Sequence, residues 1–144
     1  MAAHSKLRII IDVNLWISFA IAKGIKTRFE EVLSHPQISI ISSDIMIEEL
    51  TRVLQYPKIK KLTNTINGFS SEVFIDLHRK STCKITPKTI VELSPDENDN
   101  YLLSLAVDGK AHYLITGDKP HLLNFKIYNK TQIVTFAEFY SKVF

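Results

Sequence analysis

The run Leu7-Arg8-Ile9-Ile10-Ile11 stops abruptly at Asp12. A half-buried strand alternates apolar and polar residues, but this run is too uniformly apolar to have a wet face. It therefore predicts a central strand of a parallel sheet covered on both sides. Parallel neighbours need helical crossovers between them, so the rest of the chain has to alternate strand and helix.

The alternation is present. Helical patterns run through Trp16, Ile17, Phe19 and Ala20 to about Gly24, and from about Thr27 to Leu33. Residues 37–41 make a short strand, Ser42 or Ser43 can cap a helix over 44–55, and Pro57 breaks the pattern. Helical segments at 58–63 and 70–80 flank a loop at Asn67-Gly68, and 82–92 is ambiguous, a short strand broken by Pro87 being one reading. A helix over about 96–108, strand 112–116, a weak turn over 119–123 and strand 131–134 follow. Thr135-Phe136-Ala137-Glu138 has capping-box spacing and opens a last helix. In sheets of this kind, sites form beyond the carboxyl ends of the strands, where Asp12 and Asp118 both fall.

With 144 residues, 45% hydrophobic and 23% charged, residues 1–144 fit one domain with a substantial core. No apolar run approaches the roughly 20 residues that cross a bilayer, and the first residues enter a strand rather than a signal-peptide core. The single cysteine, Cys83, excludes an internal disulfide; it reads as a small buried hydrophobe suited to a reducing cytosol, so a cytoplasmic location is expected. A net charge of +3 does not by itself mark a nucleic-acid binder. If acids concentrate in one place, however, the remaining surface is more basic than the total. Lys58, Lys60 and Lys61, next to Arg52, form the densest cationic cluster, and Arg79, Lys80, Lys84 and Lys88 a second; a solvated face is the default reading of each.

Four acids resist a packing explanation: Asp12, Glu49, Asp99 and Asp118. At about 100° per residue, Met46, Ile47, Leu50, Val53 and Leu54 share one arc; Glu49 lies beside it and Glu48 nearly opposite. The same construction puts Asp99 on the side of Leu102, Leu105 and Ala106. Asp12 can also be a helix N-cap and Asp118 a turn residue. Ser94-Pro95-Asp96-Glu97 reads as a helix start, with Ser94 as cap and Glu97 closing a capping box, although Asp96 can assist a metal through water. Acids gathered near a core repel one another unless a cation sits among them, and oxygen ligands suit a divalent ion. Asn14 can orient Asp12. The histidines show no metal spacing, four glycines leave no phosphate loop, and no serine has a nucleophile context.

Ile11-Asp12-Val13-Asn14, Ile47-Glu48-Glu49-Leu50, the segment Asp99 to Ala106 and Leu114-Ile115-Thr116-Gly117-Asp118 resemble, in order and spacing, the motifs of the PIN-domain family. The nearest branch is the toxin components of bacterial toxin–antitoxin systems, the VapC-like ribonucleases, and the likeness runs over roughly residues 7–140. The resemblance implies a three-layer α/β/α sandwich with a central parallel sheet and a Mg²⁺- or Mn²⁺-dependent ribonuclease site. By motif match, Asp12, Glu49, Asp99 and Asp118 are its catalytic, metal-site acids, supported by Asn14 and Thr116. It also implies a cognate antitoxin protein and a homodimer. Many relatives carry a further acid after the final aspartate; here Lys119-Pro120-His121 follow, so a second ion would need help from Asp96. The expected chemistry is metal-assisted hydrolysis of single-stranded RNA, with Lys58, Lys60, Lys61 and Lys119 tracking the backbone. Two rivals are a non-catalytic RNA- or partner-binding module and a structure-specific DNA nuclease.

Overall fold

In the computed structural model, which describes residues 6–21, 26–63, 70–117 and 119–144, the apolar run is β1 (Leu7–Ile11), with Ile9, Ile10 and Ile11 fully buried. Helices α1 (Val13–Ile21) and α2 (Lys26–Ser34) lead to β2 (Ile38–Ser42). Helices α3 (Asp44–Leu54), α4 (Pro57–Leu62) and α5 (Ser71–Ser81) lead to β3 (Thr82–Lys84), and α6 (Glu97–Asp108) to β4 (Tyr113–Ile115). The chain continues through α7 (Pro120–Leu123), β5 (Ile127–Tyr128), β6 (Thr131–Val134) and α8 (Phe136–Val143). The loop expected at Asn67-Gly68 lies outside the described residues.

The strand order is β3-β2-β1-β4-β6-β5, parallel throughout except for the β5–β6 pair. The chain builds outward from β1 through β2 to β3, then returns to place β4 on the other side of β1. Right-handed crossovers put the connections of these two halves on opposite faces of the sheet, giving the three-layer α/β/α sandwich. The reversal falls between β1 and β4, the switch point at which open α/β sheets leave a crevice beyond their carboxyl ends.

One face buries a set of rings. Trp16 meets Phe29 at 5.1 Å and Phe74 at 6.3 Å, and Phe136 stacks on Phe29 at 5.7 Å, tying α1, α2, α5 and α8 together. Each fully buried ring contributes about 1.5–3 kcal/mol through lost apolar exposure. His78 belongs to this layer, with its ring 4.3 Å from Trp16 and its Nε2 2.7 Å from the Ser42 hydroxyl. Burial, with help from the Arg79 charge, lowers its pKa to about 4, so the ring is neutral at neutral pH.

The ends of elements follow local chemistry. Ser43 caps α3 by accepting from the Met46 amide at 3.2 Å, and Thr135 and Glu138 form the expected capping box of α8. Segment 82–92 forms a strand only at 82–84; its later backbone turns instead to the Asp108 carboxylate, which accepts from the amides of Lys88 and Thr89. Cys83 is exposed, not buried, because β3 is a three-residue edge strand. The short β5 was not signalled by the sequence; it pairs with β6 across a turn where Asn129 takes φ 57°.

Candidate active site

Register places the first two residues. Ile11 pairs with Ile115, and the ladder continues one step: the Asp12 amide donates to the Ile115 carbonyl at 2.9 Å and the Thr116 amide to Val134 at 3.0 Å. Asp12 and Thr116 therefore lie side by side just past the carboxyl ends of β1 and β4. The Thr116 hydroxyl donates to Asp12 Oδ2 at 2.8 Å, and both residues are buried. Asp12 stands immediately before α1, where the helix dipole favours a negative charge. Its carboxylate turns to Thr116 and to a lysine rather than capping the helix.

Asp99 comes from the first turn of α6, a helix buried on most of its circumference, and is 2% exposed. The Ser94 hydroxyl donates to Asp99 Oδ2 at 3.0 Å, while Asn100 brackets Ser94 through both main-chain groups. The expectation for this turn is corrected. Asp96, not Ser94, is the N-cap, accepting from the Asn98 amide at 2.9 Å, and Glu97 opens the helix instead of closing a box. A carboxylate is a strong acceptor for first-turn amides; it leaves Ser94 free to hold Asp99, and Asp96 itself exposed and engaged as a cap.

Glu49 is half-buried on α3 and Glu48 exposed, as the helix geometry required. Tyr101 donates its hydroxyl to Glu49 Oε1 at 3.0 Å. Burial first, then the Glu49 charge and hydrogen bond, with the Asp12 charge adding to them, push the phenol well above its ordinary range, so it remains a donor.

Lys119 joins the acids. Its ammonium lies 3.1 Å from Asp12 Oδ2 and 3.7 Å from Asp99 Oδ1, with 20% of the side chain exposed. Burial opposes the charge, but the pull of Asp12 and its hydrogen bond, then of Asp99 and Glu49, outweighs it and raises the pKa. The lysine expected to track a nucleic-acid backbone thus sits inside the acid cluster, drawn there by the field of three carboxylates.

The remaining expected residues divide. Asp118 lies outside the described residues. Asn14 is exposed in the first turn of α1, and Thr116 donates a hydrogen bond to Asp12. Lys58, Lys60 and Lys61 are exposed on α4. Sequence reasoning missed Tyr101 as a partner of Glu49 and Ser94 as a partner of Asp99. Tyr101, an aromatic with a polar tip two residues after a site acid, gave the one available signal.

The donor set is all oxygen, which fits a hard divalent ion such as Mg²⁺ or Mn²⁺. Asp99 Oδ1 is buried without a hydrogen-bond partner, a group shaped to meet a cation. Among the described residues no three acids or histidines converge closely enough to hold an ion. Asp12 and Asp99 are instead joined through one ammonium.

A family model described as PIN domain matches residues 8–120, and the chain belongs to the PIN-domain family. PIN domains are generally nucleases, so the site is that of a nuclease fold. The chain is 28% identical over 133 residues to the uncharacterized protein MJ1680 of Methanocaldococcus jannaschii, covering 87% of this chain and 79% of that one. No solved structure matches it. Among the described residues, no helix is long and apolar enough to cross a membrane.

Proposed function

We propose that this chain is a Mg²⁺- or Mn²⁺-dependent endoribonuclease that hydrolyses phosphodiester bonds of single-stranded RNA. One observation carries the reading: buried Asp12 and Asp99, from elements far apart in sequence, come close enough for a single cation to engage both, at 3.1 and 3.7 Å. Asp12 and Asp99 would hold the ion, joined by Glu49 and Asp118 on the strength of the motif match, and these four are the proposed catalytic acids. When bound, the ion supplies Lewis-acid stabilisation of the charge on the phosphodiester. Thr116 and Ser94 fix the acids by donating to one oxygen of each, and Tyr101 steadies Glu49. These contacts keep the carboxylates oriented without solvent reorganisation.

For substrate, α4 follows directly on the helix that carries Glu49. It presents Lys58, Lys60 and Lys61 beside Tyr56, which is 50% exposed. Cations that follow a backbone next to an aromatic face suit a single strand with splayed bases. The toxin role, the cognate antitoxin and the homodimer come from the resemblance of the motifs, and the cytoplasmic location from cysteine usage.

One observation favours the rival, a non-catalytic RNA- or partner-binding module: Lys119 already neutralises part of the cluster. Cleavage assays separate the two. Single-stranded RNA should be cut in Mn²⁺ and spared in EDTA, and an Asp12→Asn/Asp118→Asn double variant should lose about 10³-fold or more in rate. Equal cleavage by the double variant contradicts the proposal. RNA affinity without metal-dependent cleavage selects the non-catalytic module, and faster cutting of matched DNA selects the DNA nuclease.

A further inference from the structure

Lys119 lies 3.7 Å from Asp99 Oδ1, among the described residues the one buried carboxylate oxygen without a hydrogen bond, and it also pairs with Asp12 Oδ2. The other oxygen of Asp99 is taken by Ser94, so the position between the two acids is the one left for a positive charge. An ammonium fills that position without chemical preparation: three donors on a compact charge, delivered by a flexible four-carbon stem.

The stem can move while its base stays fixed. Lys119 precedes Pro120, the first residue of α7, and its carbonyl accepts from the Leu122 and Leu123 amides at 3.1 and 3.0 Å. Leu122 is fully buried, which anchors the helix and the Lys119 backbone with it. The side chain retains 20% exposure, a route to solvent that needs rotamer changes and no backbone shift.

We propose that Lys119 is a built-in competitor for the metal: its ammonium and a divalent ion are alternative occupants of the space between Asp12 and Asp99. Two cations sharing the same carboxylate oxygens across a few ångströms repel in a partly buried site, so an ion entering there displaces the lysine toward solvent. In the metal-free protein the two acids are thereby already paired. This rests on the metal-binding reading of the site and adds a threshold to it: the ion must outcompete a tethered charge.

The test compares Mn²⁺ binding to the wild-type protein, Lys119→Met and Lys119→Arg by titration calorimetry, with thermal unfolding alongside. Lys119→Met should bind Mn²⁺ about tenfold or more tightly than wild type. It should unfold at lower temperature without metal and gain more from Mn²⁺. Lys119→Arg, which keeps the charge, should remain near wild type. A second readout needs no variant: acetylation of Lys119 by an amine-reactive reagent, followed by mass spectrometry, should rise several-fold on adding Mn²⁺, while exposed Lys130 is unaffected. Equal Mn²⁺ affinity in wild type and Lys119→Met, or Lys119 labelling indifferent to Mn²⁺, overturns the competitor role and leaves the metal site standing. Failure of both wild type and Lys119→Met to bind Mn²⁺ overturns the nuclease reading and this inference together.

Discussion

The two ends of the sheet handle charge in opposite ways. Beyond the carboxyl ends of β1 and β4, Asp12 and Asp99 are buried, and the protein supplies Lys119 to meet them. At the amino ends of β1, β4 and β6, a cavity of about 500 Å³ is lined by Arg8, Lys110, His112 and Lys130. Arg8 and Asp12 sit in one strand and its next step, roughly 13 Å apart at 3.3 Å per residue. Arg8 donates through Nε to the Lys110 carbonyl at 2.8 Å and through its amide to His112 Nδ1 at 2.9 Å. Among the described residues, no acid comes within ion-pair distance of these cations. Arg8 uses a main-chain acceptor, and Lys110 and Lys130 are exposed to solvent. A net charge of +3 thus conceals a buried acidic end and a solvated basic one. Desolvation, more than the count of charges, decides which end needs an internal partner.

If desolvation governs the carboxyl end, its largest effect on stability falls at His78, which bonds to the last residue of β2. Its folded pKa of about 4 lies below the ordinary 6.5, so between those limits the unfolded chain binds the extra proton. Stability should therefore decline as pH falls from about 6.5 to about 4, by about 3 kcal/mol, with no contribution from this residue above 6.5. Urea denaturation of wild type and His78→Gln, at pH 7 and pH 4.5, checks the sign. An equal difference at both pH values would break the account of this end.

A smaller contrast sharpens the comparison between the ends. Thr116→Val removes the hydroxyl that donates to buried Asp12 and should cost about 1–3 kcal/mol, because the acceptor stays desolvated. The double variant Lys110→Gln/Lys130→Gln at the amino end should change stability by less than about 0.5 kcal/mol. Chemical denaturation of both proteins reads the difference directly, and equal losses would show that the two ends are not distinguished by desolvation.

The sheet was legible because β1 is uniformly apolar, which leaves few alternatives to a central parallel strand. Glu49 against Glu48 was legible for a similar reason, since a helix fixes angle from spacing. The partners of the acids were not. Thr116 meets Asp12 through the β1–β4 register, and Ser94 meets Asp99 because Asp96 takes the cap; both depend on tertiary placement. Lys119 read as a cation tracking the nucleic-acid backbone because nothing local shows that Asp12 and Asp99, from other elements, meet its ammonium. Cys83 read as core because residue type carries no sign of an edge strand.

The central claim is that separated acids form one cation site at the carboxyl end of the sheet, and Mn²⁺ titration of wild type against Asp99→Asn addresses it most directly. Asp99→Asn removes the carboxylate charge and one of its two oxygens, so saturable binding in the wild type should weaken by about tenfold or more in the variant, with the fold retained. Indistinguishable binding curves for the two proteins would contradict it.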